Sequence, residues 1–251
     1  MHTLAAFYES LNEAGAATDV AAVIDQHIRV EGDNIIVPPV FNKMFGATAI
    51  SGTNPVRTEL HSPSIDQLHP YQISPINAVL VPTGNEVHDV HPESLLVLEP
   101  NEQLSCQNTG TPGGAELHGA VIYLTDKEIN PVRGRFTSLR FQVTVTMVAG
   151  VWCFAPINLI DRLPVDRYTI VGARLVCVAA IAARFVIPGV LPRPGFPCSA
   201  NVSVPIIDMF RNGKLGVWAE FDQLNLPDIE LLGAAAPGAA TYEGVMDVIV
   251  K

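Results

Sequence analysis

The chain has 251 residues, 48% of them hydrophobic and only 16% charged, with a formal net charge of -10. That length allows one large domain or two small ones and ample core. The charged fraction is well below the roughly 25% of an average soluble domain, so the surface is either covered by partners or touches something apolar, and a large assembly fits better than a free monomer. The acid excess is early. Before residue 91 the basic residues are Arg29, Lys43 and Arg57, against ten Asp and Glu. Such a segment is a poor ligand for a phosphate backbone, because binding would release no counterions.

The start, Met-His-Thr-Leu-Ala-Ala, has no basic region followed by an apolar one and does not read as a signal peptide. Thr3 is placed to cap a short amphipathic helix carrying Leu4, Phe7, Tyr8 and Leu11, ended near Gly15. Asp19 is placed to cap a second, with Val20, Val23, Ile24, His27 and Ile28 on one side. Neither would be stable without docking on a larger body.

From Glu31 to Pro92 the chain contains eight prolines among Asn, Ser and Gly, with short extended pieces such as Asn34–Val37 between them. Proline removes a backbone donor and blocks helix interiors. The segment reads as an extended arm, and Ile65, Leu68, Tyr71, Ile73, Ile76 and Val79 make it too apolar for a solvated tether.

From Ser94 onward the pattern is β. Leu139, Phe141, Val143, Val145 and Met147 alternate with Ser138, Arg140, Gln142, Thr144 and Thr146, which is period two with one wet face. Further strands are expected at 117–125, 215–221 and 242–250. Asn108–Gly114 and Arg211–Lys214 carry turn chemistry, and 234–240 reads as a hairpin tip. No internal repeat is evident.

The most apolar stretch is YTIVGARLVCVAAIAARFVI, Tyr168 to Ile187. As a membrane helix it would carry Arg174 and Arg184, each costing about 2.5 to 3.5 kcal/mol near a helix centre. Its β-branched residues and the bounding Pro164 and Pro188 favour strand. It therefore reads as two strands, or one long bent strand, near the middle of a sandwich. On a single strand Arg174 and Arg184 would share a face near opposite ends. Both are expected at a sheet edge or subunit boundary, paired with carboxylates.

The densest titratable cluster runs from Glu86 through His88 and His91 to Glu93. Glu86, His88 and His91 are candidate metal ligands, but their spacing aligns them only on a helix and Pro92 opposes one, so the segment reads as a polar loop and no metal site is assigned. The four cysteines, Cys106, Cys153, Cys177 and Cys198, lack paired-ligand spacing and read as buried thiols. The Asn201–Ser203 sequon carries little meaning without a secretion signal. No nucleophile, phosphate-loop or dinucleotide motif is present, and no catalytic residue or cofactor is assigned. Trp152 and Trp218 sit in apolar patterns and are expected in the core.

Residues 1–92 thus read as short helices and a Pro-rich arm, and 93–251 as a mainly β, antiparallel sandwich. The strand series 117–125, 136–148, 168–187, 215–221 and 242–250, preceded by that arm, resembles the jelly-roll capsid proteins of icosahedral viruses, including the tailless, lipid-containing bacteriophages. The resemblance implies one jelly roll plus the arm, a double jelly roll being tight at this length. It implies a non-enzymatic capsid subunit in the virion, made in the host cytoplasm, assembling as trimers or pentamers with itself and other virion proteins. The acidic N-terminal segment departs from the basic genome-binding arm of many RNA viruses, so it is expected to bind protein rather than nucleic acid. An inner lipid membrane between shell and genome would account for that departure. A carbohydrate- or receptor-binding sandwich is the alternative, and a cupin-like metal enzyme the second one.

Overall fold

The computed structural model describes residues 1–12, 17–51, 55–73, 87–110, 115–198, 205–234 and 236–250. It is mainly β and divides into two compact units, Leu4–Lys127 and Glu128–Lys251 with Met1–Thr3. The division therefore falls at 127/128 and not at 92/93.

The N-terminal unit contains β1 (His2–Asn12), β2 (Ala17–Val20), β3 (Val30–Glu31), β4 (Asn34–Ile36), β5 (Lys43–Ser51), β6 (Pro55–His61), β7 (Tyr71–Ile73), β8 (Val87–Val90), β9 (Leu96–Val97), β10 (Gln103–Gly110) and β11 (Ala115–Thr125). One sheet runs β1-β11-β5-β8. The other contains β2, β10, β6 and β7 in that lateral order, with β4 and β3 continuing beside β10. Phe7, Leu60, Ile73, Leu104, Cys106, Ala120 and Ile122 fill the space between the sheets.

Two expectations for this region do not hold. The proposed helix over 3–11 is replaced by β1, and that over 19–28 by the end of β2, a bridge at Ala22 and bends at 26–28. His2 to Phe7 are all buried, and a strand covered on both faces shows no period-two alternation, so its apolar residues fit a helical template by default. Nor is 31–92 an arm. Ile35, Val37, Met44, Ala47, Leu60, Ile65 and Ile73 are core residues of this unit. The prolines punctuate short strands: Pro38 and Pro39 follow β4, Pro55 opens β6, Pro70 precedes β7 and Pro92 follows β8. There a missing N–H costs the ladder little. Ile76, Val79 and the sequon at 201–203 lie outside the described residues.

The C-terminal unit contains β12 (Thr137–Thr146), β13 (Trp152–Leu159), β14 (Arg167–Leu175), β15 (Ala180–Val186), β16 (Gly195–Pro197), a 3-10 turn at Pro205–Phe210, β17 (Ala219–Asp222), β18 (Asp228–Gly233) and β19 (Ala239–Val250). Its strands follow the order β16-β15-β18-β13-β12-β19-β14-β17. Leu139, Phe141, Val143 and Val145 of β12 are buried and their even-numbered neighbours outward, as the alternation requires. The strand expected at 215–221 is shorter. Residues 211–215 form a bend and turns and 216–218 are irregular, with Asn212, Gly213 and Gly216 at positive φ. A cluster of His2, Phe185, Phe196, Phe210 and Trp218 forms an aromatic centre in this unit. Trp218 is fully buried, as expected, but Trp152 is only half-buried.

Both units solve the same topological problem in the same way. Setting aside the short β3, β4 and β9, each has eight strands. The first, eighth, third and sixth form one sheet, β1-β11-β5-β8 or β12-β19-β14-β17. The second, seventh, fourth and fifth form the other, β2-β10-β6-β7 or β13-β18-β15-β16. This interleaving is compatible with a jelly roll, in which two Greek keys wrap on one another. The single sandwich expected over 93–251 thus gives way to two, and a structural repeat exists where the residues show none.

Residues 168–187 are the two strands β14 and β15, with the chain turning at 176–179. Both are buried almost throughout. β14 lies between β19 and β17, whereas β15 lies between β18 and β16. The stretch therefore crosses from one half of the sandwich to the other, and Arg174 and Arg184 do not share a strand. No helix among the described residues is long and apolar enough to cross a membrane.

Candidate functional site

The His88–His91 segment carries the densest titratable cluster of the sequence. In β8 the period of two sends neighbouring side chains to opposite faces. His88 Nδ1 lies 2.8 Å from Thr48 Oγ1, which lies 2.8 Å from the Tyr123 hydroxyl. His91 Nε2 lies 2.5 Å from Asp89 Oδ1, and Tyr71 donates its hydroxyl to Asp89 Oδ2 at 2.6 Å. Burial first, then the hydrogen bond to Asp89, raises the Tyr71 hydroxyl well above its ordinary pKa. The two histidines therefore serve separate hydrogen-bond sets, and Glu86 lies outside the described residues. Among the described residues no group of three His, Cys, Asp or Glu is placed to hold a metal. Beside Tyr71 and His91 is a cavity of about 260 Å³ floored by Met44, Phe45 and Leu96.

The two arginines singled out by the sequence have different surroundings. Arg184 on β15 is 2% exposed, and its Nε donates to Glu230 Oε2 of β18 at 2.7 Å. Arg193 Nη1 lies 2.9 Å from the other carboxylate oxygen of Glu230. The Arg184 guanidinium carbon lies 3.9 Å from the Trp152 ring centroid, in cation–π contact. Trp152 thus covers a buried ion pair in place of joining the aromatic centre. Sequence reasoning missed Glu230 and Arg193. The signal was a lone carboxylate in an apolar run, Ile229-Glu230-Leu231-Leu232, because a charge survives such burial only when paired.

The same signal marks Asp247 in Val245-Met246-Asp247-Val248, which is fully buried. It accepts hydrogen bonds from Arg211 Nε at 2.6 Å, Arg211 Nη2 at 2.8 Å, Ser138 Oγ at 2.6 Å and the Asn212 amide at 2.9 Å. Burial pushes the carboxyl up, but these donors outweigh it and hold it below the usual carboxylate range. The network ties the turn at 211–214 to β12 and β19. Gly172 permits it, since a Cβ there would lie 2.8 Å from the Arg211 backbone and 2.9 Å from Asp247 Oδ2.

Arg174 faces outward on the sheet β12-β19-β14. Polar pairs run along that face: Gln142 donates to Glu243 at 2.8 Å, and Thr144 and Thr241 share a hydrogen bond of 2.8 Å. Arg140 pairs with Asp161 through Nη2 at 2.9 Å. A cleft of about 180 Å³ on this face is lined by Ile160, Val176 and Val245 together with Arg140, Arg174 and Glu243. Among the described residues no carboxylate pairs with Arg174.

A second surface feature repeats in the two units. Antiparallel pairing throughout makes successive strands of each sandwich alternate in direction. The second-to-third, fourth-to-fifth and sixth-to-seventh connections of a unit therefore share one end. In the N-terminal unit they carry Ile24, Leu68 and Val97, and in the C-terminal unit Val165, Leu191 and Leu224, each more than half exposed.

No protein-family model matches the chain, and no curated protein matches it in sequence. Among solved structures it is similar to the major capsid protein P2 of bacteriophage PM2, at 9% identity and a TM-score of 0.29, over 100% of this chain and 98% of that one.

Proposed function

We propose that this protein is a structural virion protein, a capsid subunit built as two tandem jelly rolls that assembles with copies of itself into an icosahedral shell. The observation that carries the reading is the strand order, since the same eight-strand interleaving occurs twice in one chain. A rigid sandwich supplies a fixed body, and its connections vary the contacts, which is what a repeated, symmetric shell needs from its subunit. The exposed apolar side chains on equivalent connections of both units suit burial between copies. The low charged fraction, 16% of the chain, suits dense packing of like on like. The virion is then the site of action, and the roles assigned to the chain are structural.

Sedimentation velocity and negative-stain microscopy of the purified protein test this directly. Defined oligomers or closed shells, growing with protein concentration, are expected. A monomer that persists across a wide concentration range sinks the reading.

A further inference from the structure

The units differ sharply in charge. Leu4–Lys127 has fifteen Asp and Glu against four basic residues, Arg29, Lys43, Arg57 and Lys127, whereas the rest of the chain has ten against eleven. A shell made only of such copies must place its acidic units against something. Like-charged units directly apposed would repel, and a contact of unlike units removes that cost.

Each side of an unlike contact is present. On the acidic unit, the connections that share one end expose Asp33, Asp66, Glu93 and Glu99. On the nearly neutral unit, the outer face of β12-β19-β14 is polar and self-satisfied apart from one cation. Asp161 holds Arg140 and Gln142 holds Glu243, while Arg174 has no carboxylate among the described residues. Arg174 lines a cleft together with the apolar Ile160, Val176 and Val245 and with Arg140 and Glu243, two side chains already engaged with Asp161 and Gln142. Partial desolvation there strengthens a charge-assisted bond to an entering carboxylate, and the planar fork of arginine suits bidentate capture of one.

We infer that the Arg174 cleft receives a carboxylate from the N-terminal unit of a neighbouring copy, which makes the contact heterologous, acidic unit on arginine-bearing unit. The inference rests on the self-assembly reading above and adds which faces meet. A heterologous contact closes into a ring or continues as a surface, whereas an isologous one ends at a dimer.

Charge reversal and cross-linking test it together. In R174E the protein concentration needed for half-maximal assembly should rise at least about tenfold, as expected when one member of a close interfacial charge pair is lost. R174K should retain assembly and also supplies an amine. A carbodiimide applied to particles of R174K, built from mixed light- and heavy-nitrogen chains, should join residue 174 to acidic residues of 4–127 in mixed-isotope pairs. Only mixed pairs count, because they are between copies. If R174E folds poorly by circular dichroism, the R174K cross-link decides alone. Normal assembly of a folded R174E, or R174K particles without mixed-isotope links from residue 174 to 4–127, overturns this contact and leaves self-assembly standing. A wild-type protein that never associates overturns both.

Discussion

The two units have one topology and different interiors. In the C-terminal unit the first and second strands pair along Phe141–Val143 with Ile157–Leu159, so its two sheets join into one eight-stranded path. In the N-terminal unit the corresponding link, among the described residues, is the single bridge Phe7–Ala22 with the flanking bonds of Tyr8 and Val23. Their buried polar groups differ as well. The N-terminal unit buries mostly neutral hydrogen-bonding groups, with Thr48 and Tyr123 in one set and His118 against Asn108 in another. Its one charged exception among the described residues, Glu59, pairs at 3.2 Å with an Arg57 that is itself 48% exposed. The C-terminal unit buries charge, in Arg184–Glu230–Arg193 and in Arg211–Asp247. Strand order does not dictate how polar groups are accommodated. It requires only that buried polar groups be partnered for the most part, and a neutral set or an ion pair can serve.

The contrast can be broken at its strongest point. Asp247→Ala leaves the Arg211 guanidinium, 13% exposed, without its counter-charge. Removing one partner of a buried pair costs about 3–5 kcal/mol. Both tryptophans, Trp152 and Trp218, belong to the C-terminal unit, so denaturant unfolding followed by tryptophan fluorescence reads that unit. Its midpoint should fall sharply, while amide exchange of β10 and β11 should change little. An unchanged fluorescence midpoint would show that the pair is not structural.

Acid should separate the two interiors. Burial lowers His118 to about 4 from its ordinary 6.5. A histidine held neutral in the folded state contributes stability fully present above pH 6.5 and lost as pH falls towards 4. The Asp247 carboxyl is held below its ordinary range, so its contribution is present above that ordinary range and lost only as pH falls through the depressed value. Amide exchange measured from neutral pH down to about pH 4 should therefore open the N-terminal unit first. His118→Gln should narrow the gap. Simultaneous opening of both units in wild type would contradict it.

The smallest effect belongs to the surface set around Asp89. Tyr71→Phe removes one neutral-to-carboxylate donor at 2.6 Å, worth about 1.5–3 kcal/mol when the acceptor is charged and least where water reaches the pair. Amide exchange at β7 and β8 should rise slightly, with the tryptophan-detected transition unmoved. A shift in the latter would mean the effect is not confined to its unit.

How much was legible depended on where water lay. β12 was readable because one face is wet, so its buried Leu139, Phe141, Val143 and Val145 alternate with exposed neighbours. β1 was misread because residues 2–7 are covered on both faces, which erases the alternation. The Pro-rich region reads as an arm because its strands are only two to nine residues long and its described prolines fall between strands or, at Pro55, open one. Of the candidate residues, Arg184 proved ion-paired but deeply buried, His88 and His91 diverged, and Arg174 stood apart. Their partners were invisible in a linear reading, since Glu230 is 46 residues from Arg184 and Asp247 is 36 from Arg211.

By itself the sequence determined the β class, the strand character of 168–187 and the acidity of the first half. These follow from side-chain volume, branching and charge, which are local properties. Only the tertiary structure decided that there are two sandwiches, that 168–187 changes sheets at 176–179, and which carboxylate meets which arginine. Those outcomes depend on which strands lie side by side, and strand neighbours in an interleaved sandwich are set by packing two sheets face to face rather than by residues adjacent in the chain.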